Sequence, residues 1–191
     1  MKLFGPLLVC LCCLPGMSRA AAVNLATLSC AKYPSELMAP ATPSPGADPI
    51  NTMMWLFGYS VARSGAHVMY GEALAGFGFA LDAECKNNPS EKLLDALAKV
   101  KPDNKNPMDL TMLSCSTFAS RHVDLKGSDP ESAGTIMMWL YGFAVAKSGG
   151  HIYDPSGLAN FEAALMADCA KYPERNLFDA LSMVKFAKTV R

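Results

Sequence analysis

The chain has 191 residues, 51% of them hydrophobic and 18% charged, with 17 Lys and Arg set against 17 Asp and Glu. That balance, with no basic face, points away from nucleic acid as a partner. The composition agrees with a compact domain that is not strongly charged.

Lys2 precedes an apolar run from Leu3 to Leu14, followed by Pro15-Gly16 and then Ser18-Arg19-Ala20-Ala21-Ala22. This pattern reads as a secretory signal peptide over residues 1–22, cleaved near Ala20 to Ala22. The run is too short to span a bilayer. No small residue stands immediately before Cys10, Cys12 or Cys13, which argues against a lipoprotein signal. The expected product is periplasmic or secreted, with no membrane span.

From Asn24 to Lys32 the sequence reads as a short helix, with Asn24 as N-cap and Cys30 on its last turn. The stretch from Ala39 to Ala47 is too rich in proline for a helix. Asp48-Pro49 restarts one, with Asp at the N-cap and Pro at the first helical position. That helix, Met53-Met54-Trp55-Leu56-Phe57-Gly58-Tyr59-Ser60-Val61-Ala62-Arg63, is apolar nearly all round and stops at Ser64-Gly65, so it is expected to be the most buried element. A third helix is expected from Glu72 to Asn87, with Leu74, Phe77, Leu81 and Cys85 forming one stripe. Asn88-Pro89-Ser90-Glu91 reads as the start of a fourth, whose apolar face is Leu93, Leu94, Leu97 and Val100. No alternating strand stands out.

The pattern then repeats. Met137-Met138-Trp139-Leu140-Tyr141-Gly142-Phe143 returns 84 positions after Met53, and about 24 of the 49 positions from Met53 to Lys101 are identical at that offset. Asp129-Pro130 repeats the helix start, Ser148-Gly149 the stop, and Leu158, Phe161, Leu165 and Cys169 the stripe. The chain is therefore expected to be all-α, a tandem duplication of a small domain: repeats over 23–101 and 109–191 joined by a polar linker at 102–108. A linker that short implies that the repeats touch.

Beyond the leader stand Cys30, Cys85, Cys115 and Cys169. Four cysteines allow three pairings. The intervals Cys30 to Cys85 and Cys115 to Cys169 match, which favours one disulfide within each repeat in an oxidising compartment. Units of about 75 residues are small enough to need such a staple. The rival reading is a four-cysteine zinc site, against which the absence of any C-x-x-C spacing among these four argues.

Chemistry is sparse. His67 and His151 recur just past the glycine stops, where a loop histidine near a helix C-terminus is the plainer reading than a metal ligand. No serine sits in a G-x-S-x-G elbow, Asp95 and Asp179 are isolated carboxylates on a helix face, and Trp55 and Trp139 read as core. Neither an enzyme nor a cofactor is expected.

A cysteine followed three residues later by an aromatic (Cys30 and Tyr33; Cys115 and Phe118), an apolar Trp helix, a glycine stop and a distal Cys-x-x-x-Pro-x-x-x-Leu resemble the HdeA/HdeB family. Cys169-Ala170-Lys171-Tyr172-Pro173-Glu174-Arg175-Asn176-Leu177, with Lys147-Ser148-Gly149-Gly150 upstream, is closer to the HdeB branch. The resemblance implies a periplasmic, all-helical, ATP-independent chaperone that opens in acid and binds unfolding client proteins. Characterised members are single domains that dimerise, so two copies in one chain imply an intramolecular pseudo-dimer. They also tend to carry acidic residues just after the first cysteine, where this chain has Ala31-Lys32 and Ser116-Thr117. The client-binding surface expected on this reading is the apolar face around Met54, Trp55, Phe57, Met138, Trp139 and Tyr141. Without Lys2 and Arg19 the chain keeps 15 Lys and Arg, so protonating all 17 carboxylates leaves about +19 once three His and the N-terminus are counted. Self-repulsion on that scale favours opening. Ten of the twelve methionines lie beyond the leader, and methionine suits a surface that must fit many clients. The competing class is an exported helical binding module that neutralises a toxin or docks to a single protein partner.

Overall fold

A computed structural model of the chain describes residues 22–38, 48–70, 73–100 and 107–184. Residues 1–21 of the expected leader, the proline-rich stretch after Met38 and most of the expected linker lie outside the described residues. Seven α-helices and four very short strands are present among them: β1 (Val23–Asn24), α1 (Pro49–Arg63), β2 (Val68–Tyr70), α2 (Leu74–Asn87), α3 (Leu93–Lys99), β3 (Pro107–Asp109), α4 (Cys115–Ser128), α5 (Pro130–Lys147), β4 (Ile152–Tyr153), α6 (Leu158–Lys171) and α7 (Leu177–Met183). The fold class is all-α, with each half carrying one disulfide, Cys30–Cys85 or Cys115–Cys169.

The helix starts and stops read from sequence are in place for the two long helices. The Asp48 side chain accepts from the Asn51 N–H at 2.9 Å, and that of Asp129 from the Ser132 N–H at 3.1 Å, each ahead of an N1 proline. Gly65 and Gly149 take positive φ values of 79° and 76°, the left-handed turn that glycine makes without steric cost. The expected stripes face inward: Phe77, Leu81 and Cys85 on α2, and Phe161, Leu165 and Cys169 on α6, are buried.

Three expectations fail, each because backbone groups are engaged elsewhere. Residues 24–32 are not a helix. The Leu25 N–H donates to the His151 carbonyl at 2.9 Å and the Cys30 N–H to that of Glu91 at 2.8 Å, so the segment runs as a β-strand and turns, followed by a π-helical turn over Pro34–Met38. Asn24 accepts from the Ala26 N–H at 2.9 Å and so closes a local turn. Asn88 does not open the fourth helix. It caps the end of α2, and α3 begins at Leu93 because the Pro89 and Glu91 carbonyls serve as a ledge for Ala31 and Cys30. Strands are present, and Pro107 and Met108, read as linker, belong to one.

Those strands tie the halves together. β1 pairs antiparallel with β4 (Val23 opposite Tyr153, Asn24 opposite Ile152), and β2 with β3 (Val68 opposite Asp109, Met69 opposite Met108). The strand after each long helix thus takes its partner from the start of the other half. Just beyond the ribbons, Leu25 bonds the His151 carbonyl and Leu110 that of His67, both at 2.9 Å. That carbonyl contact is the shared role of the two recurring histidines. Within each half, isolated bridges join Ser29 to Lys92 and Ser114 to Asn176. The strand exchange is reciprocal about the crossing of α1 and α5.

Candidate functional site

The crossing of α1 and α5 is the centre of the molecule and carries all six residues expected to meet clients. Trp55, Phe57, Trp139 and Met138 are fully buried, and Met54 and Tyr141 nearly so. None offers a surface in the closed chain.

Two glycines make the crossing close. A Cβ added at Gly58 would collide with the Trp139 carbonyl, and one at Gly142 with the Trp55 carbonyl. Each helix therefore presses its glycine against the backbone of the other, an approach that a side chain would forbid. Around this contact the rings form matched sets. Trp55 stacks on Tyr59 at 5.2 Å and Trp139 on Phe143 at 5.3 Å. Phe57 stacks on Phe77 at 4.8 Å and Tyr141 on Phe161 at 5.1 Å. Trp55 meets Tyr141 edge-on, as Trp139 meets Phe57, both at 6.4 Å. Sequence reading named the tryptophans and missed the glycines, although Trp-x-x-Gly stands in both repeats.

Polar groups in this seam are few. The Ser60 hydroxyl donates to the Leu97 carbonyl at 3.0 Å, and the Tyr59 hydroxyl to that of Gly150 at 3.2 Å. Thr52 and Tyr153 share a buried hydroxyl contact at 2.8 Å. Burial pushes the Tyr141 and Tyr153 phenols up to about 12. Both indole N–H groups, on Trp55 and Trp139, are buried with no hydrogen-bond partner among the described residues. Each such orphan donor costs about 1–3 kcal/mol at the centre of the fold.

An apolar cleft of about 90 Å³ lies beside the seam, between α4, α5 and the β2–β3 ribbon, with Met69, Met108, Phe118, Ile136 and Leu140 among its walls. The buried His122 also lines it. Its Nε2 lies 3.1 Å from Glu162 Oε1, and Lys126 Nζ lies 2.6 Å from the same oxygen. His122 carried no signal in the repeat, because the first half has no histidine there.

The acid-sensitive groups sit outside the seam. Glu84 is held below the usual carboxylate range, chiefly by the Lys99 ammonium, which also bonds Glu91 at 2.6 Å. Asp109 is lowered by the Thr111 hydroxyl and N–H, and Asp129 by its cap on Ser132. For Glu162 partial burial raises the carboxyl, but the bonds from Lys126 and His122 outweigh it and leave it lowered. His67 Nε2 is 3.7 Å from Asp109 Oδ2, a long contact between half-exposed groups.

Among the described residues no cluster of His, Cys, Asp and Glu is placed to hold a metal, and no helix is long and apolar enough to cross a membrane. The four cysteines are spent on disulfides. The model of the HdeA/HdeB family matches residues 94–179, a span that runs from α3 into α7 and takes in Cys115, Trp139 and Cys169. No curated protein and no solved structure matches the chain.

Proposed function

We propose, from the family match over residues 94–179 and from the buried crossing of α1 and α5, that this chain is an exported acid-stress chaperone built as two HdeA/HdeB-like units in one polypeptide. Residues 1–22 direct it to the periplasm. At neutral pH the two long helices cover each other, and in acid they separate and offer their apolar faces to unfolding clients. The reading needs neither catalysis nor a cofactor.

One observation carries it: the most apolar surface of the molecule is buried between two halves that are tied at the rim by two short β-ribbons and are each stapled by their own disulfide. Separation would expose Met54, Trp55, Phe57, Met138, Trp139 and Tyr141 while each half stays tethered through its Cys–Cys bond. Acid supplies the push. Glu84, Asp109, Asp129 and Glu162 have lowered folded values, so their stabilisation is present above the ordinary carboxylate value near 4 and is lost as pH falls through the lower folded values.

The test is aggregation of acid-labile client proteins at pH 2–4 with and without the disulfide-intact chain. Broad protection supports the chaperone. No protection, together with tight binding to one partner at neutral pH, would replace it with the binding-module reading.

A further inference from the structure

The cleft under α4 exists because matched positions of the two halves are filled differently. At the 84-residue offset the mates of Thr52 and Tyr153 are Ile136 and Met69. Tyr153 lays its ring edge-on against Trp55 at 5.2 Å and bonds Thr52. Met69 and Ile136 have no such ring and hydroxyl, and both line the cleft. Counted from the first cysteine of each half, His122 stands where the first half has the buried Leu37. Glu162, at the 84-residue offset, stands where it has Gly78, beside which Met53 fills the space. One half thus closes with apolar groups where the other closes with an ionisable pair.

We propose that the Glu162 carboxylate, bridging His122 and Lys126, latches α4 over this cleft, and that acid frees α4 before it opens the α1–α5 crossing. The cleft is then the first surface offered to an unfolding client. This rests on the chaperone reading given above.

The geometry makes the latch one-sided. The His122 side chain is 4% exposed and stacks on Phe118, while Lys126 is 57% exposed. The cysteine end of α4 is fixed by Cys115–Cys169 and by the Cys115 N–H on the Arg175 carbonyl at 2.7 Å. Its last turn has no such staple and leans on the Glu162 bonds. No other charge on the packed elements takes their place. On α4, Arg121 and Asp124 are exposed. α5 carries charge only at its ends, Glu131 and Lys147. On α6, Asp168 is taken by Arg175 at 2.5 Å and Lys171 lies over the Tyr172 ring. On α7, Asp179 bonds Asn176. Across the ribbon, Asp109 is engaged by Thr111 and faces His67.

When Glu162 takes a proton, the pair loses its only anion. Loss of that anion favours release of α4 as pH falls. Release of one helix ahead of the whole is local unfolding of a segment with few supports.

Hydrogen exchange in the full disulfide-intact chain, corrected for intrinsic rate, should show α4 losing protection at a higher pH than α1 and α5. At pH 7, Glu162→Gln should speed exchange in α4 about tenfold or more, on the net strength of hydrogen bonds to charged groups, and leave α1 and α5 unchanged. Lys126→Met, at an exposed position, should act in the same direction and serves if the glutamine variant does not fold. His122→Leu, which installs the residue of the first half, should move α4 release to lower pH. Release of α4, α1 and α5 at one pH, or an α4 indifferent to these substitutions, would overturn the latch. Ordered release with no client protected would leave the latch standing and remove the chaperone reading instead.

Discussion

The two ends of the α1–α5 crossing start from matched positions and finish differently. At one end Tyr153 lies edge-on against Trp55 and shares a buried hydroxyl contact with Thr52. At the other, Met69 and Ile136 border an open apolar cleft, and α4 is held there through His122 and Lys126 on Glu162. The centre between them is the same from either side, with each glycine against the carbonyl of the opposite tryptophan. The halves are therefore alike at the centre of their pairing and unlike at its ends. One chain carrying both halves can fill the two ends differently, which two identical subunits cannot do.

The disulfides should show the largest effect and the least asymmetry. They close loops of 55 and 54 residues. Replacing either pair by serines should cost about 4 kcal/mol on the chain-entropy model. In denaturant melts, a gap of about 2 kcal/mol or more between the two double variants would break the equivalence of the halves. Next come Gly58→Ala and Gly142→Ala, each expected to cost about 3 kcal/mol because the added carbon meets backbone. If thermal melts show one glycine tolerant and the other not, the crossing is not two-fold. The ends should differ more gently. Tyr153→Phe strands the buried Thr52 hydroxyl and should cost about 1–2 kcal/mol. Its mate Met69→Leu, against a cleft with room to spare, should cost less than about 1.5 kcal/mol. Equal costs at both ends would remove the contrast.

Much of the frame was legible in the sequence because it is written in local chemistry. Asp48-Pro49 and Asp129-Pro130 announce helices whose first turns need a cap, and Ser-Gly stops need a left-handed residue. Matched cysteine intervals announce the disulfides. The parts that were not legible depend on partners distant in sequence. Residues 24–32 have the composition of a short helix, but their N–H groups are claimed by His151 and Glu91. Ribbons of two or three residues are too short to show an alternation. The glycines were visible as a repeated Trp-x-x-Gly, yet only the crossing shows that each sits on the other's tryptophan carbonyl. His122 and Glu162 were hidden for the opposite reason: they occur in one half only, so the repeat that organised the reading passed over them.

The central claim is that acid separates α1 from α5 while the disulfides stay intact, and tryptophan emission tests it most directly. Trp55 and Trp139 are the only tryptophans in the chain, and both are fully buried at the crossing. Titrated from pH 7 to pH 2 without reductant, the emission should hold steady down to the carboxylate range and then shift red between about pH 4 and pH 2, with a hydrophobic dye binding in the same interval. Emission that stays blue to pH 2, with no dye bound, would contradict the claim.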